Sequence, residues 1–352
     1  MPLPSIEEYL VAIKTPQLVH PSILKGGHPI VKGVNTIIKY AGGFCVVFPY
    51  ETPTKKYAVR CWHAELSEMK KRTQLIAETL KSCSLPYFVG FEYYEDGIMT
   101  SVGKQPIVVM DWVNAMPLKK YISAHLNEPN TINQLAENFK VMVANLHKQH
   151  LSHGDLQHGN IMVKDDGCLV LVDYDSMYVP TLKGMKDEID GLDGYQHPSR
   201  AKNKLVTEKA DYFSELVIYS SLKVLSMDNS YWKRLNMENT ETMLFSKEDI
   251  TSAGSSPIFG ELRKSSDIKP LVDALCEFMA LDSIDKLVPL EQAVVSKASI
   301  IASKWAQGNG YTPSKPHIDS ADDIKAKWKK GNGYKAPTTK EMADKIRAKW
   351  KK

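Results

Sequence analysis

Three oxygen-bearing side chains lie within one short stretch of this sequence and could together hold a hard cation. Asp155 and Asn160 are five residues apart in a polar loop, and Asp173 follows thirteen residues later at the end of an apolar run. Between them, the Lys-Asp-Asp-Gly segment at 164–167 predicts a hairpin turn, because Asp-Gly is a strong short turn signal. Carboxylate and amide oxygens are the ligands that Mg²⁺ prefers when phosphates complete its coordination. The spacing therefore predicts one hairpin that brings the three groups together.

The segments around this hairpin show strand and helix patterns that would position it. Residues 36–62 predict consecutive strands with a turn at Gly42-Gly43. Residues 87–113 predict two further strands joined by a turn at 95–97, where the sequence reads Glu-Asp-Gly. Apolar residues at helical spacing predict helices over residues 64–82, 117–150 and 220–300.

Composition describes a globular protein of 352 residues, with 43% hydrophobic and 24% charged residues, which is enough for a sizeable core. The five cysteines are scattered and show no C-x-x-C spacing, so neither a disulfide framework nor a zinc site is indicated. The first residues do not resemble a signal peptide, and no apolar run approaches the length of a membrane span. These observations predict a cytoplasmic protein without a membrane partner.

The net charge of +4 conceals a basic tail. Residues 301–352 contain 13 Lys and Arg against 5 Asp and Glu, and they repeat a Trp/Gly-Asn-Gly-Tyr pattern with tryptophans at 305, 328 and 350. Lysines interleaved with aromatic residues predict a short helical repeat that binds an acidic protein or nucleic acid. A solvated basic linker with docking tryptophans fits the same pattern equally well, so both interpretations stay open.

The hairpin stretch resembles the catalytic core of the protein kinase superfamily, in which the catalytic loop reads H-R-D-x-x-x-x-N and the metal-binding turn reads D-F-G. Here His153-Gly154-Asp155 with Asn160 is similar to the loop, and Asp173-Tyr174-Asp175 is similar to the turn. The resemblance extends over residues 36–300, and the chain looks like a divergent bacterial serine/threonine-kinase-like protein.

The resemblance implies an α+β, two-lobed protein-kinase-like fold with a small β-rich N-lobe and a large helical C-lobe. A short amphipathic helix is expected to pack on the N-lobe. The predicted organisation is an N-terminal extension at 1–35, the N-lobe to the hinge at 36–113, the C-lobe at 114–300 and the repeat tail at 301–352.

The resemblance also implies roles for the polar residues of the hairpin stretch. Asp155 would accept the proton of the attacking hydroxyl, while Asn160 and Asp173 would hold the Mg²⁺ or Mn²⁺ ions that bridge the ATP phosphates. Asp175 replaces the glycine of the family's turn, and its extra carboxylate is a further candidate metal ligand. Two residues would anchor the catalytic loop, namely His153 and Asp211.

A second group of residues resembles the family's nucleotide contacts. Arg60 stands where the family has a strand lysine, and arginine can grip phosphate with two nitrogens. The complete set of predicted ATP contacts is Gly42, Gly43, Arg60, Met110, Asp111, Val113 and Gln157. In the family a helix glutamate pairs with the strand lysine, and the sequence does not select among Glu65, Glu68 and Glu78.

These features predict an ATP-dependent protein kinase that transfers the γ-phosphoryl group of Mg-ATP to a protein hydroxyl, with Ser or Thr favoured over Tyr. Arg60, Asp175 and Gln157 depart from the family pattern. One alternative is therefore a pseudokinase-type ATP-binding scaffold. A second is a small-molecule phosphotransferase, against which the segments around Pro198 and Asp211 argue.

Kinases that are switched by phosphorylation of the activation loop usually carry Arg immediately before the catalytic Asp. Gly154 holds that position here, so we expect no buried cation that awaits a phosphate. The double variant Ser176→Ala, Thr181→Ala should therefore transfer phosphate as well as the wild type in an assay with γ-labelled ATP. Abolished transfer would contradict this prediction.

Overall fold

The computed structural model describes residues 3–65, 68–189, 191–203, 205–252 and 255–295. The basic repeat tail at 301–352 lies outside the described residues, so its helices and its partner stay predictions. No helix in the described ranges combines the length and the apolar character that a bilayer span requires.

The first lobe is built on a six-stranded antiparallel sheet. Its elements are α1 (Ile6–Ile13), β1 (His28–Pro29), β2 (Val31–Lys32), β3 (Thr36–Ile37), β4 (Tyr40–Ala41), β5 (Cys45–Glu51), β6 (Lys56–Trp62), α2 (Met69–Ser82), β7 (Phe91–Thr100) and β8 (Gly103–Asp111). The strand order is β1-β5-β6-β8-β7, and β4 pairs with β5. The strands β2 and β3 form a separate hairpin.

Side chains of β6 alternate between two apolar cores, as successive residues of a strand must. Tyr57, Val59 and Cys61 face a smaller core that α1 covers. Ala58 and Trp62 face the larger core, which continues into the helical lobe. Residue 60 therefore lies on the face that is turned towards the second lobe.

The predicted N-terminal helix is present as α1 and is part of the first lobe. The Ser5 hydroxyl accepts a hydrogen bond from the Glu8 amide, and the Glu8 carboxylate accepts one from the Ser5 amide, which forms a capping box. The Tyr9 hydroxyl donates to the carbonyl of Trp62 at 3.0 Å. The boundary between the N-terminal extension and the N-lobe at residue 36 stays a prediction. The strand β1, which precedes it, pairs with β5 of the sheet.

The turn predicted at 95–97 is wrong. The strand β7 runs through these residues with a bulge between Tyr94 and Ile98, and the chain turns instead just before Gly103, which has a φ of +105°. At Gly97 a Cβ would lie 2.3 Å from Cγ1 of Ile107 on the neighbouring strand. Glycine is thus needed at position 97 for close approach rather than for chain reversal.

The second lobe is mainly helical. Its elements are β9 (Met116–Pro117), α3 (Leu118–Ala124), α4 (Pro129–Lys148), β10 (Ile161–Val163), β11 (Leu169–Leu171), α5 (Tyr212–Met227), α6 (Ser230–Arg234), α7 (Lys247–Thr251), α8 (Pro257–Leu262), α9 (Lys269–Met279) and α10 (Leu290–Ala293). The helix α5 is buried nearly all round and packs against α4. The predicted α+β division into a β-rich lobe and a helical lobe is confirmed.

A charged triad joins three helices of this lobe. Nε2 of His147 on α4 lies 2.8 Å from Oε1 of Glu215 on α5, and Nδ1 lies 3.0 Å from Oε2 of Glu291 on α10. The His147 side chain is 9% exposed and that of Glu215 only 2%. Burial lowers the pKa of His147, but the two carboxylates outweigh it and raise that pKa to about 10. The imidazolium is therefore the form that the folded protein stabilises.

This pairing predicts how stability depends on pH. Because the pKa of His147 is raised on folding, the stabilisation is complete below the unfolded value and is lost as pH rises through about 10. We expect His147→Gln to lower the free energy of unfolding by about 3 kcal/mol at pH 7, since it leaves a buried carboxylate unpaired. The difference from wild type should shrink at pH 10, as measured by urea unfolding.

The matched control is His150→Asn, which removes an exposed contact of 2.8 Å between Nδ1 and Oε2 of Glu208 and should change stability little. Asparagine is chosen because His150 has a φ of +54°, which Asn tolerates. A loss in His147→Gln that is equal at both pH values would contradict the assignment of the charged form.

Candidate active site

The predicted hairpin is present and brings Asn160 and Asp173 to the same end of two paired strands. The strands β10 and β11 pair from Ile161↔Leu171 to Val163↔Leu169, and Gly167 in the turn has a φ of +79°. Asn160 thus immediately precedes β10, and Asp173 follows β11 with a φ of +67°. Both residues lie at the same end of the hairpin, so their side chains can act on one ligand.

Asp155 and Asn160 are in direct contact. Nδ2 of Asn160 donates to the backbone carbonyl of Asp155 at 2.8 Å and to its Oδ2 at 3.1 Å. The Leu192 amide donates to Oδ1 of Asp155 at 3.1 Å. Burial raises the pKa of Asp155. A carboxylate has about four acceptor sites, so Asp155 can still accept a proton from a further donor.

The loop at 153–160 is anchored by the carboxylate of Asp211, a residue that is 1% exposed. Its carboxylate accepts hydrogen bonds from the backbone amides of His153 and Gly154, the latter at 3.0 Å. Nε2 of His153 lies 2.8 Å from the carbonyl of Val172, which ties the loop to the residue before Asp173. Both predicted anchors therefore contact the backbone that carries the site.

Gly154 is required by its surroundings. It has a φ of +78°, and a Cβ at this position would lie 2.0 Å from the carbonyl oxygen of Ser176. No side chain fits there without displacing the segment at 173–198, which begins with the Asp173-Tyr174-Asp175 turn. The arginine that many kinases carry at this position would have no space.

The structure does place a buried cation beside the loop, which sequence analysis missed. Nη2 of Arg200 donates to the Gly154 carbonyl at 3.1 Å and to Oδ2 of Asp187 at 2.7 Å. The Arg200 and Asp187 side chains are each only 4% exposed. Because Asp187 already neutralises Arg200, this cation does not await a phosphate. Independence from loop phosphorylation stays a prediction.

Arg60 points from β6 towards the metal-binding turn and is 3% exposed. Its Nη1 lies 2.9 Å from Oδ1 of Asp173, and its Nη2 forms an ion pair with Oδ2 of Asp175. Burial alone would lower the pKa of Arg60, but these two carboxylates raise it above its usual range. In turn Arg60 holds the pKa of Asp173 below its ordinary value.

The three helix glutamates are not the partners of this cation. Among the described residues, the ion pairs of Arg60 are those with Asp173 and Asp175. Glu68 lies 3.6 Å from Lys71 at the start of α2, and Glu65 and Glu78 are exposed. The carboxylate that pairs with the strand cation therefore comes from the turn.

The helix α2 instead contributes Arg72, a residue that sequence analysis missed. Nε of Arg72 donates to the backbone carbonyl of Asp175 at 2.8 Å, and Nη1 donates to that of Lys186 at 3.2 Å. Arg72 shares the buried stripe of α2 with Ile76 and Leu80 at a spacing of four residues. A charged residue on that stripe was the signal that could have revealed it.

The metal-ligand candidates differ in exposure. The Asp173 side chain is 51% exposed, whereas that of Asp175 is 15% exposed and faces Arg60. No three His, Cys, Asp or Glu side chains gather into a preformed metal cage within the described ranges. Mg²⁺ commonly takes one or two protein carboxylates and completes its shell with phosphates and water. Asn160 and Asp173 fit this pattern, whereas the carboxylate of Asp175 pairs with Arg60 and its role as a metal ligand stays a prediction.

Comparison with known protein families gives a match over most of this site. The family model described as protein kinase domain matches residues 41–281, which is more than half of the chain. The chain belongs to the protein kinase family. No curated protein matches it. The predicted resemblance to the kinase superfamily is thereby confirmed.

Several polar groups of the segment that resembles the kinase hinge already bind other parts of the protein. Met110 is 8% exposed and pairs with Ala58 across β8 and β6. The Asp111 amide donates to Gly90 at 3.0 Å, and the Trp112 amide donates to Lys56 at 3.2 Å. The Asp111 carboxylate pairs with Lys55 at 2.6 Å. Among the predicted ATP contacts of this segment, the Asp111 amide is thus used by the fold, and a contact by the Val113 backbone stays a prediction.

Gln157, where serine/threonine kinases have a lysine, is used by the loop itself. Its Oε1 accepts a hydrogen bond from the Gly159 amide at 2.6 Å and caps a short turn that ends at Asn160. One acceptor position of the side-chain oxygen is therefore used by the loop. A phosphate contact by the Gln157 amide group stays a prediction.

The glycines at the tip of the β4–β5 hairpin have open space around them. A Cβ at Gly43 would meet nothing within 4 Å, and at Gly42 the nearest atom is the Cys45 carbonyl at 3.9 Å. Neither residue has a positive φ. The fold itself does not require glycine here, so the lack of side chains is available for the close approach of a phosphate.

We therefore expect Gly43→Ala to weaken ATP binding several-fold without lowering stability. The matched control is Gly260→Ala on α8, where a Cβ also meets nothing within 4 Å. That control should gain up to about 1 kcal/mol of stability from helix propensity and bind ATP normally. Melting temperature and the affinity for a fluorescent ATP analogue would be measured for both. Unchanged nucleotide affinity in Gly43→Ala would argue against a phosphate-covering role.

Proposed function

We propose that this kinase transfers the γ-phosphoryl group of Mg-ATP to a protein hydroxyl, with Ser or Thr as acceptor ahead of Tyr. The observation that carries the proposal is the placement of Asp155, Asn160 and Asp173 at one end of the β10–β11 hairpin. Asp155 and Asn160 are in hydrogen-bond contact, and Asp173 presents a half-exposed carboxylate from the adjacent strand end.

The residues of the site fit the parts that phosphoryl transfer requires. The Asn160 amide oxygen and the Asp173 carboxylate would hold Mg²⁺, which would supply positive charge to neutralise the phosphates of ATP. Asp155 accepts the proton of the acceptor hydroxyl, since Leu192 and Asn160 orient its carboxylate and leave acceptor sites unused.

A protein substrate is supported by the surface beside Asp155. A cavity of about 290 Å³ lies between the end of the 173–198 segment and α7, lined among others by Gly191, Pro198 and Ile250. Gly191 precedes Leu192, whose amide contacts Asp155. The cavity adjoins the loop that contacts the proposed proton acceptor, so we place a segment of the proposed protein substrate there.

Two wider parts of the proposal rest on sequence. The basic tail at 301–352 is proposed as a surface for an acidic protein or nucleic acid. A cytoplasmic location is proposed as well, and the five cysteines, all of them free thiols, agree with a reducing compartment.

A second candidate function is an ATP-binding scaffold without transfer activity. One observation favours it, namely that Arg60 engages Asp173 at 2.9 Å and so competes with a metal for one of its oxygens. In that case nucleotide would stabilise the fold while no phosphate reached a protein.

The decisive experiment compares the wild type with Asp155→Asn in transfer of γ-labelled phosphate with Mg²⁺ or Mn²⁺. Generic protein acceptors and the kinase itself would be offered. We expect transfer by the wild type and a loss of at least about a hundredfold in the variant, because the proton acceptor is removed. Asp165→Asn, which neutralises an exposed carboxylate in the hairpin turn, is the control and should be fully active.

Absence of label with the wild type, together with a melting temperature raised by ATP, would support the scaffold. Transfer to a small hydroxyl compound but to no protein would instead support a small-molecule phosphotransferase.

A further inference from the structure

We propose that Asp175 is a positioning residue, which keeps Arg60 paired when Asp173 turns its carboxylate to the metal of Mg-ATP. The inference rests on the proposed function, since it concerns the same nucleotide site. It assigns a role to a carboxylate that replaces the glycine of the family's metal-binding turn.

The guanidinium of Arg60 is shared between two carboxylates at different depths. Nη1 reaches Asp173 and Nη2 reaches Asp175. The Asp173 side chain is 51% exposed, whereas that of Asp175 is 15% exposed. A ligand that approaches from solvent therefore meets Asp173 first and leaves the more buried ion pair with Asp175 in place.

A buried arginine needs a counter-ion at every stage of the reaction, because an unpaired charge away from water is costly. Arg60 is 3% exposed, and no helix glutamate among the described residues reaches it. With Asp173 as its single partner, the arginine would oppose metal binding at that carboxylate. The second carboxylate removes this conflict, since the Arg60–Asp175 pair persists while Asp173 binds the metal.

Asp175 is held where this role requires it. The Arg72 guanidinium of α2 donates to the backbone carbonyl of Asp175 at 2.8 Å. The preceding Tyr174 is 1% exposed, and its hydroxyl donates to the Leu171 carbonyl at 2.7 Å. The backbone on both sides of the Asp175 side chain is thus fixed to α2 and to β11, so that Asp175 stays with Arg60 when Asp173 responds to a ligand.

The residue type at position 60 agrees with this role. A guanidinium offers two separate Nη groups in a planar fork, so one cation can hold two carboxylates at once. A lysine ammonium is a compact point charge, which cannot place two separate nitrogen atoms against the two carboxylates. The arginine on β6 and the carboxylate at 175 therefore form a matched pair of departures from the family pattern.

The test compares nucleotide affinity with and without the metal, using the full-length chain. Displacement of a fluorescent ATP analogue gives the affinity for ATP in Mg²⁺ and in EDTA, and the ratio of the two is the metal enhancement. We expect Asp175→Asn to lower this enhancement about tenfold or more, because Arg60 then competes with the metal for Asp173. Binding in EDTA should be unchanged or tighter, since a negative charge near the phosphates is gone.

Asp165→Asn serves as the charge-matched control and should keep the wild-type enhancement. In an Arg60→Gln background the Asp175→Asn change should have no further effect, because Asp175 acts through Arg60. Melting temperatures identify variants that fail to fold. If Asp175→Asn is one of them, Asp175→Gly, which restores the family's residue, removes the same charge and takes its place.

The outcomes separate the two proposals. Wild-type enhancement retained in a folded Asp175 variant, or an equal effect of Asp175→Asn with and without Arg60, would overturn the role of Asp175 and leave the proposed function standing. No binding of ATP by the wild type in either buffer would overturn the proposed function, and this inference with it.

Discussion

The active site depends on one buried carboxylate. Asp211 lies directly before α5, a helix of the second lobe that is buried nearly all round. Its carboxylate accepts hydrogen bonds from the backbone amides of His153 and Gly154. Unpaired backbone amides at this depth would be costly, so the pairing fixes the loop that carries Asp155. The 153–160 loop is therefore anchored to the buried core of the second lobe.

The absence of a side chain at Gly154 also joins the loop to the segment that follows it. Because the residue has no side chain, the Ser176 carbonyl packs against its Cα and Arg200 reaches its carbonyl. Asp187 completes the arrangement by pairing with Arg200. Loop and following segment are thus joined by backbone contacts and one buried ion pair. The carboxylate that pairs with Arg200 comes from the protein itself, which is a physical reason to predict that no added phosphate is needed here.

Local signals made part of this site predictable. The Asp-Gly turn at Gly167 and the flanking apolar runs were sufficient to predict the hairpin, and with it the placement of Asn160 and Asp173. The same kind of signal failed at Gly97, where glycine allows close approach to Ile107 within a bulged strand. A glycine marks a place where a side chain is excluded, but sequence alone does not tell whether a turn or a neighbouring strand excludes it.

The pairing of charges was less predictable, and the reason differs between the two cations. The partners of Arg60 lie 113 and 115 residues further along the chain. They can be identified only from the fold, which brings the turn after β11 next to β6. Arg72 was readable as a buried cation from its place on the stripe of α2. Its acceptors, however, are backbone carbonyls, and every residue of the chain has one of those. A sequence can therefore indicate that a cation is buried, whereas the fold alone decides which carbonyl receives it. Arg72 binds the backbone carbonyl of Asp175, whose side chain pairs with Arg60. The burial of Arg72 follows from the helix pattern, whereas the pairing of Asp175 with Arg60 follows only from the fold.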